Sequence, residues 1–198
     1  CGMVLLEAQQ LGHNVFITSF CNVLREFLEP KIVAKFEKMF NYIADICVEY
    51  TRKNCVFPCP GTGPFVVNHM IRLIDTYIMQ HKPKPDVEEE SKMPENMEDR
   101  LNNALVFAAI WGIGGCIEES TRSKFDTMFQ ELLIGEDVVA KFEIDMGKDY
   151  TEEPMKIPNK LGDFKSLFEV YFDQEEMKWV NWMSTVPKYI VNKEDSYL

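Results

Sequence analysis

Membrane-length apolar runs, basic stripes, histidines and phosphate-binding glycine loops are all missing or scarce in this sequence. No stretch reaches the ~20 consecutive apolar residues that a transmembrane helix requires. The most apolar segment, residues 103–115, is too short and is bracketed by charge. The first residues have no basic flank and Glu7 interrupts their apolar stretch, so they do not read as a signal peptide. The net charge of −11 is uneven. Residues 1–81 hold seven acids and seven bases, 82–99 seven against three, and 100–198 eighteen against eleven. An acidic chain without a basic face is a poor partner for nucleic acid or anionic lipid.

Catalytic signatures are equally sparse. The phosphate-cradling pattern G-x-x-x-x-G-K-[ST] is absent. Gly112-Ile113-Gly114-Gly115 is glycine-rich, but it closes an apolar run, offers no lysine and reads as helix termination. No apolar run ends in the paired acids that would hold Mg²⁺, so the chain assembles no NTPase site by itself. Cys55 and Cys59 with His69 give C-x₃-C and one histidine, short of the four ligands of a structural zinc site. Six cysteines are an even number, yet Cys21, Cys47 and Cys116 fall in apolar runs of a sizeable chain, which favours reduced cytosolic thiols. His13, His69 and His81 have no motif around them that would orient a nucleophile–base pair. Glu118-Glu119 and Glu175-Glu176 are adjacent loop acids and read as solvated charge. Nothing here argues for an enzyme, a metal or a resident cofactor.

What is present is helical periodicity. Gly2 to Glu7 reads as a short buried strand. From Leu11 to Leu28, Leu11, Val15, Phe16, Phe20, Val23, Leu24, Phe27 and Leu28 recur at helical spacing. Pro30 ends that helix or begins the next. There Ile32, Phe36, Met39, Phe40, Ile43, Ile46, Cys47 and Tyr50 form one stripe, with Arg52 among the charges opposite. After a Pro/Gly loop, Thr62 is a plausible N-cap for a helix to about His81, with Phe65, Val66, Met70, Leu73, Ile74 and Tyr77 facing inward. Residues 82–99 are acidic and proline-rich and read as a solvated linker. Leu101 to Gly115 is a central buried helix. Another starts at Ser120 or Thr121, buries Phe125, Met128, Phe129, Leu132 and Leu133, and stops at Gly135. Residues 136–165 have no steady period. Phe168, Val170 and Phe172 then alternate with polar residues, and Lys178 to Trp182 follows a turn, giving strand, turn, strand. The expectation is a mainly α helical bundle over 1–133 with an acidic linker at 82–99, then an irregular segment and a C-terminal β-hairpin over 134–198.

Three blocks in order resemble dynein heavy chains. Cys1-Gly2-Met3-Val4-x-x-Glu7-x-x-x-Leu11-Gly12 is similar to the family's C-G-M-[VI]-Y-x-E-P-x-x-L-G-W, which follows the first sensor strand of the second AAA+ module. Phe107 to Gly115 with Arg122-x-Lys124-Phe125 resembles F-x-x-x-W-x-x-G-G and R-x-K-F. Leu167-Phe168-Glu169-Val170, then Trp179-Val180-x-Trp182-x-x-x-Val186-Pro187, resemble the hairpin strand and the W-x-x-W-x-x-x-V-P approach to the third module. Ala8 and His13 depart from the family's Pro and Trp, and Leu167 and Val170 from its Val and aromatic. The pattern is closer to axonemal than to cytoplasmic dyneins.

The resemblance implies a fragment of an ATP-driven, minus-end-directed microtubule motor, namely the small helical lid of the second AAA+ module and the lead-in to the third. It implies ATP or ADP and Mg²⁺ in the parent module, with a second site that holds ATP and hydrolyses it little. Implied partners are adjacent large subdomains of the same chain and, through the parent, other dynein subunits; the acidic balance argues against direct microtubule contact. The implied place is the cytoskeleton of the ciliary axoneme. Pro64, Phe65, Val66 and Val67 fall where other modules present a second-sensor arginine to nucleotide. Here no arginine occurs until Arg72, although core packing explains Phe65 and Val66 equally well. Arg122, Lys124, Trp179 and Trp182 are implied inter-module contacts, against a plainer reading of solvated charges and packing anchors. The alternative is a free-standing helical adaptor that recruits another protein through its apolar faces.

Overall fold

The computed structural model describes residues 2–3, 12–59, 61–82, 94, 96–148, 150–162 and 164–188. Residues 4–7 of the expected buried strand and most of the expected linker lie outside the described residues; Gly2 and Met3 are exposed and form no strand. Seven helices and one two-stranded antiparallel sheet make up the described fold, a helical bundle with a C-terminal hairpin.

Helix α1 spans Asn14–Leu24 and buries Ile17, Phe20, Cys21 and Leu24, a run at i, i+3, i+4 and i+7. It is shorter than the expected 11–28. Gly12 has φ +73°, a left-handed backbone that bars helix, and Arg25–Leu28 form turns. Val15 and Val23, expected inside, are 47% and 37% exposed, because the face actually packed is one step round the helix. Helix α2, Pro30–Asn54, has proline in its first turn, so Pro30 begins it. Its expected stripe is buried except for half-buried Ile32, and Tyr42, Ala44, Val48 and Thr51 are buried as well. The apolar arc is wide because α2 packs against several other helices at once.

Helix α3, Gly63–Ile78, runs into a 3₁₀ turn at Met79–His81. Thr62 is its N-cap by position, but the side chain makes no capping hydrogen bond. Helix α4, Met97–Gly112, starts four residues before the expected Leu101, taking the last of the expected linker into the fold. Glu98 and Asp99 occupy its first turn, where the helix dipole favours acids, and pair with Lys35 (2.5 Å) and Lys160 (3.0 Å). Buried nearly all round, α4 is the centre of the bundle. It lies against α3 so closely that a Cβ on Gly112 would stand 2.9 Å from the Met70 backbone nitrogen. Helix α5, Glu119–Ile134, buries Phe125, Met128, Phe129, Leu132 and Leu133 and stops at Gly135, whose φ of +90° only glycine adopts freely. No described helix is long and apolar enough to cross a membrane.

Beyond α5 the backbone is largely irregular but pinned. A four-residue helix α6, Val138–Lys141, is capped by Asp137. Ile144 and Ile157 reach the core, the Ile157 amide donates to the Leu133 carbonyl, and the Met155 amide to the Tyr42 hydroxyl at 3.2 Å. Strands β1, Val170–Asp173, and β2, Lys178–Asn181, pair with Val170 opposite Asn181 and Phe172 opposite Trp179. Phe168 sits in a 3₁₀ turn before β1, and Trp182 opens a short helix α7, Trp182–Thr185, so both lie outside the strands expected to hold them. Asp173 accepts the amides of Glu175 and Glu176 and closes the turn.

Two buried polar side chains dock this section. Asn103, 1% exposed, donates to the Asp99 carbonyl and accepts both the Lys160 amide (3.0 Å) and the Trp179 indole N–H (2.8 Å). Asp126 accepts the Leu167 amide at 3.1 Å and Gln130 at 2.9 Å. Asn103→Ala strands the buried Trp179 indole N–H at about 1–3 kcal/mol and removes the acceptor of the Lys160 amide. The expected result is a lower urea midpoint and a red-shifted tryptophan emission as Trp179 gains water.

The hairpin turn meets the end of α3 at His81, where Arg100 donates to the Gln174 carbonyl at 2.9 Å. Burial first, and then the Arg100 cation, hold the His81 imidazole below its ordinary range, with Gln174 acting the other way. An imidazole depressed in the fold is protonated first in the unfolded chain. Stability is therefore unaffected above about pH 6.5, falls as pH drops below it, and levels off once the folded group also protonates. His81→Gln should flatten the stability profile between about pH 7 and 5, read from thermal midpoints across that range.

Candidate functional site

The last turns of α2, the loop after it and the start of α3 enclose a cleft of about 460 Å³. Val48, Phe57, Pro64 and Val66 supply apolar wall; Glu49, Thr51, Arg52, Thr62 and His13 supply polar groups. Gly63 lets the walls approach, since a Cβ there would lie 3.1 Å from Val48 Cγ1 and 3.2 Å from His13 Nδ1. His13 is fixed from behind, its Nε2 2.8 Å from Asp45 Oδ1. Arg52 Nε and Nη2 donate to Glu49 Oε2 at 3.0 and 2.5 Å.

Of the four residues the resemblance placed near nucleotide, Pro64 and Val66 line this cleft. Phe65 does not face inward as expected. It is 44% exposed and its ring lies 4.3 Å from that of His69. Val67 is fully buried in the bundle core. His13, Glu49 and Arg52 were not singled out from sequence. Arg52 read as one charge on the solvated face of α2, and only the fold of the 55–62 loop brings that face beside α3.

The hairpin carries the other candidate surface. Trp179 is 7% exposed, bonded to Asn103 and packed on Phe172. Trp182 stands outward, its ring 4.4 Å from Tyr171 and 6.0 Å from Trp111, beside exposed Met183 and Val186. The Arg122 guanidinium lies over the Phe168 ring at 5.4 Å. Lys124 is exposed, and its carbonyl accepts the Tyr50 hydroxyl at 3.2 Å. Trp182 and Lys124 thus sit at the surface, while Trp179 and Arg122 are spent largely on internal contacts.

The family model of the dynein heavy chain AAA lid domain matches residues 36–184, from α2 through α7. The chain belongs to this family. Curated relatives include mouse dynein axonemal heavy chain 3, 25% identical over 207 residues, covering 99% of this chain and 5% of the relative. Human dynein axonemal heavy chain 10 is 22% identical over 205 residues (100% of this chain, 4% of the relative). The Chlamydomonas reinhardtii dynein-1-alpha heavy chain of the flagellar inner arm I1 complex is 24% identical over 207 residues (96% and 4%). The chain therefore spans about a twentieth of the length of the relatives it matches.

Burial pushes the Cys21 thiol up to about 12, and that of Cys47 still further. Cys55 and Cys116 are raised by the same cause. His69, considered with Cys55 and Cys59 from sequence, instead has its Nδ1 3.3 Å from Cys116 Sγ. Among the described residues no cluster of three or more His, Cys, Asp or Glu side chains is placed to hold a metal. Cys59 is the exposed thiol of the five described. With iodoacetamide at pH 7.5, mass spectrometry should find Cys59 alkylated first among the five described thiols, and Cys21 and Cys47 only after unfolding.

Proposed function

We propose that this lid is the small subdomain of the second AAA+ module of an axonemal dynein heavy chain, together with the lead-in to the third. It closes over a nucleotide held by the preceding large subdomain and passes rigid-body rotations on to the next. The observation that carries the reading is the cleft at the start of α3, in the stretch the family resemblance places beside nucleotide. Its lining fits such a ligand: Val48, Phe57, Pro64 and Val66 can cover a base or ribose, and Thr62 offers a hydroxyl. Glu49 is the one carboxylate in that lining, so Mg²⁺ and the groups that act on phosphate belong to the preceding large subdomain. When bound, ATP would supply the phosphoryl-transfer free energy of a minus-end-directed microtubule motor. The lid itself orients the ligand, excludes water and supplies no catalytic residue.

Transmission needs a body that moves as a unit. The close contact of α3 with α4, and the hydrogen bonds that bind residues 150–182 to the bundle through Asn103 and Asp126, make one. Trp182 and Lys124 then meet the neighbouring large subdomain directly, with Trp179 and Arg122 setting their positions from beneath. The partners are the adjacent large subdomains of the same chain and, through the parent, other dynein subunits. Microtubule contact is left to other parts of that chain, and the setting is the cytoskeleton of the ciliary axoneme. An adaptor would use the same exposed residues, but the match of residues 36–184 to the dynein lid family favours the ring.

The lid and its preceding large subdomain, produced together, should retain ATP through purification and turn it over slowly, as read by chromatography of extracted nucleotide. The lid alone should retain none. A two-subdomain protein empty of nucleotide would overturn the reading and leave the adaptor in its place.

A further inference from the structure

Arg122 lies in the first turn of α5, where the helix dipole is positive and disfavours a cation. Glu118 and Glu119 precede it by four and three residues, the spacing at which helical side chains pair. Even so, among the described residues no acid or carbonyl accepts from its guanidinium, and Nε is buried with no partner at all. A buried N–H left unmet is costly, while the terminal nitrogens stay open to whatever approaches. The side chain turns instead to the Phe168 ring at 5.4 Å. That ring is seated on Gly114, where a Cβ would stand 2.8 Å from its Cζ. Contact with an aromatic face attracts the charge but leaves the N–H groups in the guanidinium plane unmet. Phe168 also ends an aromatic row: it lies 5.9 Å from Trp111, Trp111 lies 6.0 Å from Trp182, and Trp182 lies 4.4 Å from Tyr171. One strip therefore runs from a cation without an acceptor to the exposed side chains of Trp182 and Met183.

We propose that Arg122 is a socket for a carboxylate: an Asp or Glu side chain of the adjoining large subdomain pairs with its guanidinium, while apolar residues beside that acid cover Trp182 and Met183. The inference rests on the reading that the hairpin meets a neighbouring subdomain of the same heavy chain, and it names the chemistry of that partner. A carboxylate is the fitting occupant. Its two oxygens match the guanidinium fork, and its charge is of the sign that the start of α5 favours. Contact with Phe168 holds the guanidinium in place beforehand, so docking does not have to order a free side chain. The chain spans 5% of its mouse relative, which leaves ample heavy chain to supply the neighbour.

The test uses the full-length heavy chain carrying this lid. Arg122→Lys puts an amine where the guanidinium was, and a water-soluble carbodiimide joins an amine to a carboxylate only when the two are in contact. Peptide mass spectrometry should find that amine coupled to an Asp or Glu of the adjoining large subdomain. Arg122→Met keeps an apolar stem over Phe168 and removes the donors. It should speed hydrogen exchange in the coupled peptide about tenfold and leave the Val170–Asp173 amides unchanged. In parallel, the photo-crosslinking residue p-benzoylphenylalanine in place of Trp182 reports whether the hairpin meets a neighbour at all. Capture of the large subdomain from position 182, with no coupling at position 122 or coupling to Glu118 or Glu119 alone, would overturn the socket and spare the inter-module reading. Unchanged exchange in the coupled peptide, or faster exchange of Val170–Asp173, would mark Arg122 as internal packing and overturn the socket too. No capture from position 182 would overturn the inter-module reading itself, and the socket with it.

Discussion

The carboxamide of Asn103 joins three pieces of chain that share no continuous secondary structure. Its nitrogen is tied to the first turn of α4, and its oxygen takes one donor from the irregular segment at Lys160 and another from the hairpin at Trp179. The carboxamide belongs to a residue 1% exposed, where the indole N–H of Trp179, if unmet, has no water to turn to. Asp126 does the same for the Leu167 amide, one helix away. The section after α5 has little regular structure to hold it, so these acceptors, with the apolar side chains of Ile157, Val170, Phe172 and Trp179, decide where it lies. The exposed face of the hairpin depends on that docking.

A close-packed bundle suits the task of a lid. The α3–α4 contact leaves no room for a Cβ at Gly112, and Gly114 is crowded in turn by Phe168 and Phe125. Interiors this dense resist gradual deformation and shift as rigid bodies instead. The candidate sites lie at the margins of this mass: a cleft between the last turns of α2 and the start of α3, and an outward Trp182 on a hairpin whose other tryptophan is sunk into the bundle.

Much of this was legible in the residues. The apolar stripe of α2 repeats at helical spacing for about five turns, which no other structure accommodates, and Pro30 and Gly135 mark boundaries through their own backbone chemistry. The start of α4 is hidden in the sequence because Glu98 and Asp99 look like linker charge, and only the fold brings Lys35 and Lys160 to face them. Phe65 was turned the wrong way for a related reason. Periodicity fixes angles between residues around a helix axis, but the burial of Val66 and Val67 sets which arc faces the core and leaves Phe65 outside it.

The sequence by itself determined which of the longer segments are helical, where proline and glycine interrupt them, that a hairpin follows, and the family resemblance carried by blocks from Cys1 to Pro187. Those are local properties, encoded in spacing and backbone preference within a few residues. Only the tertiary structure decided that Arg52 and His13 share a cleft with Pro64, that His69 stands beside Cys116 and not Cys55, and that Trp179 points in while Trp182 points out. Each joins residues from separate elements, or depends on how one element seats against another, and loop geometry and packing set those positions without leaving a periodic trace in the chain.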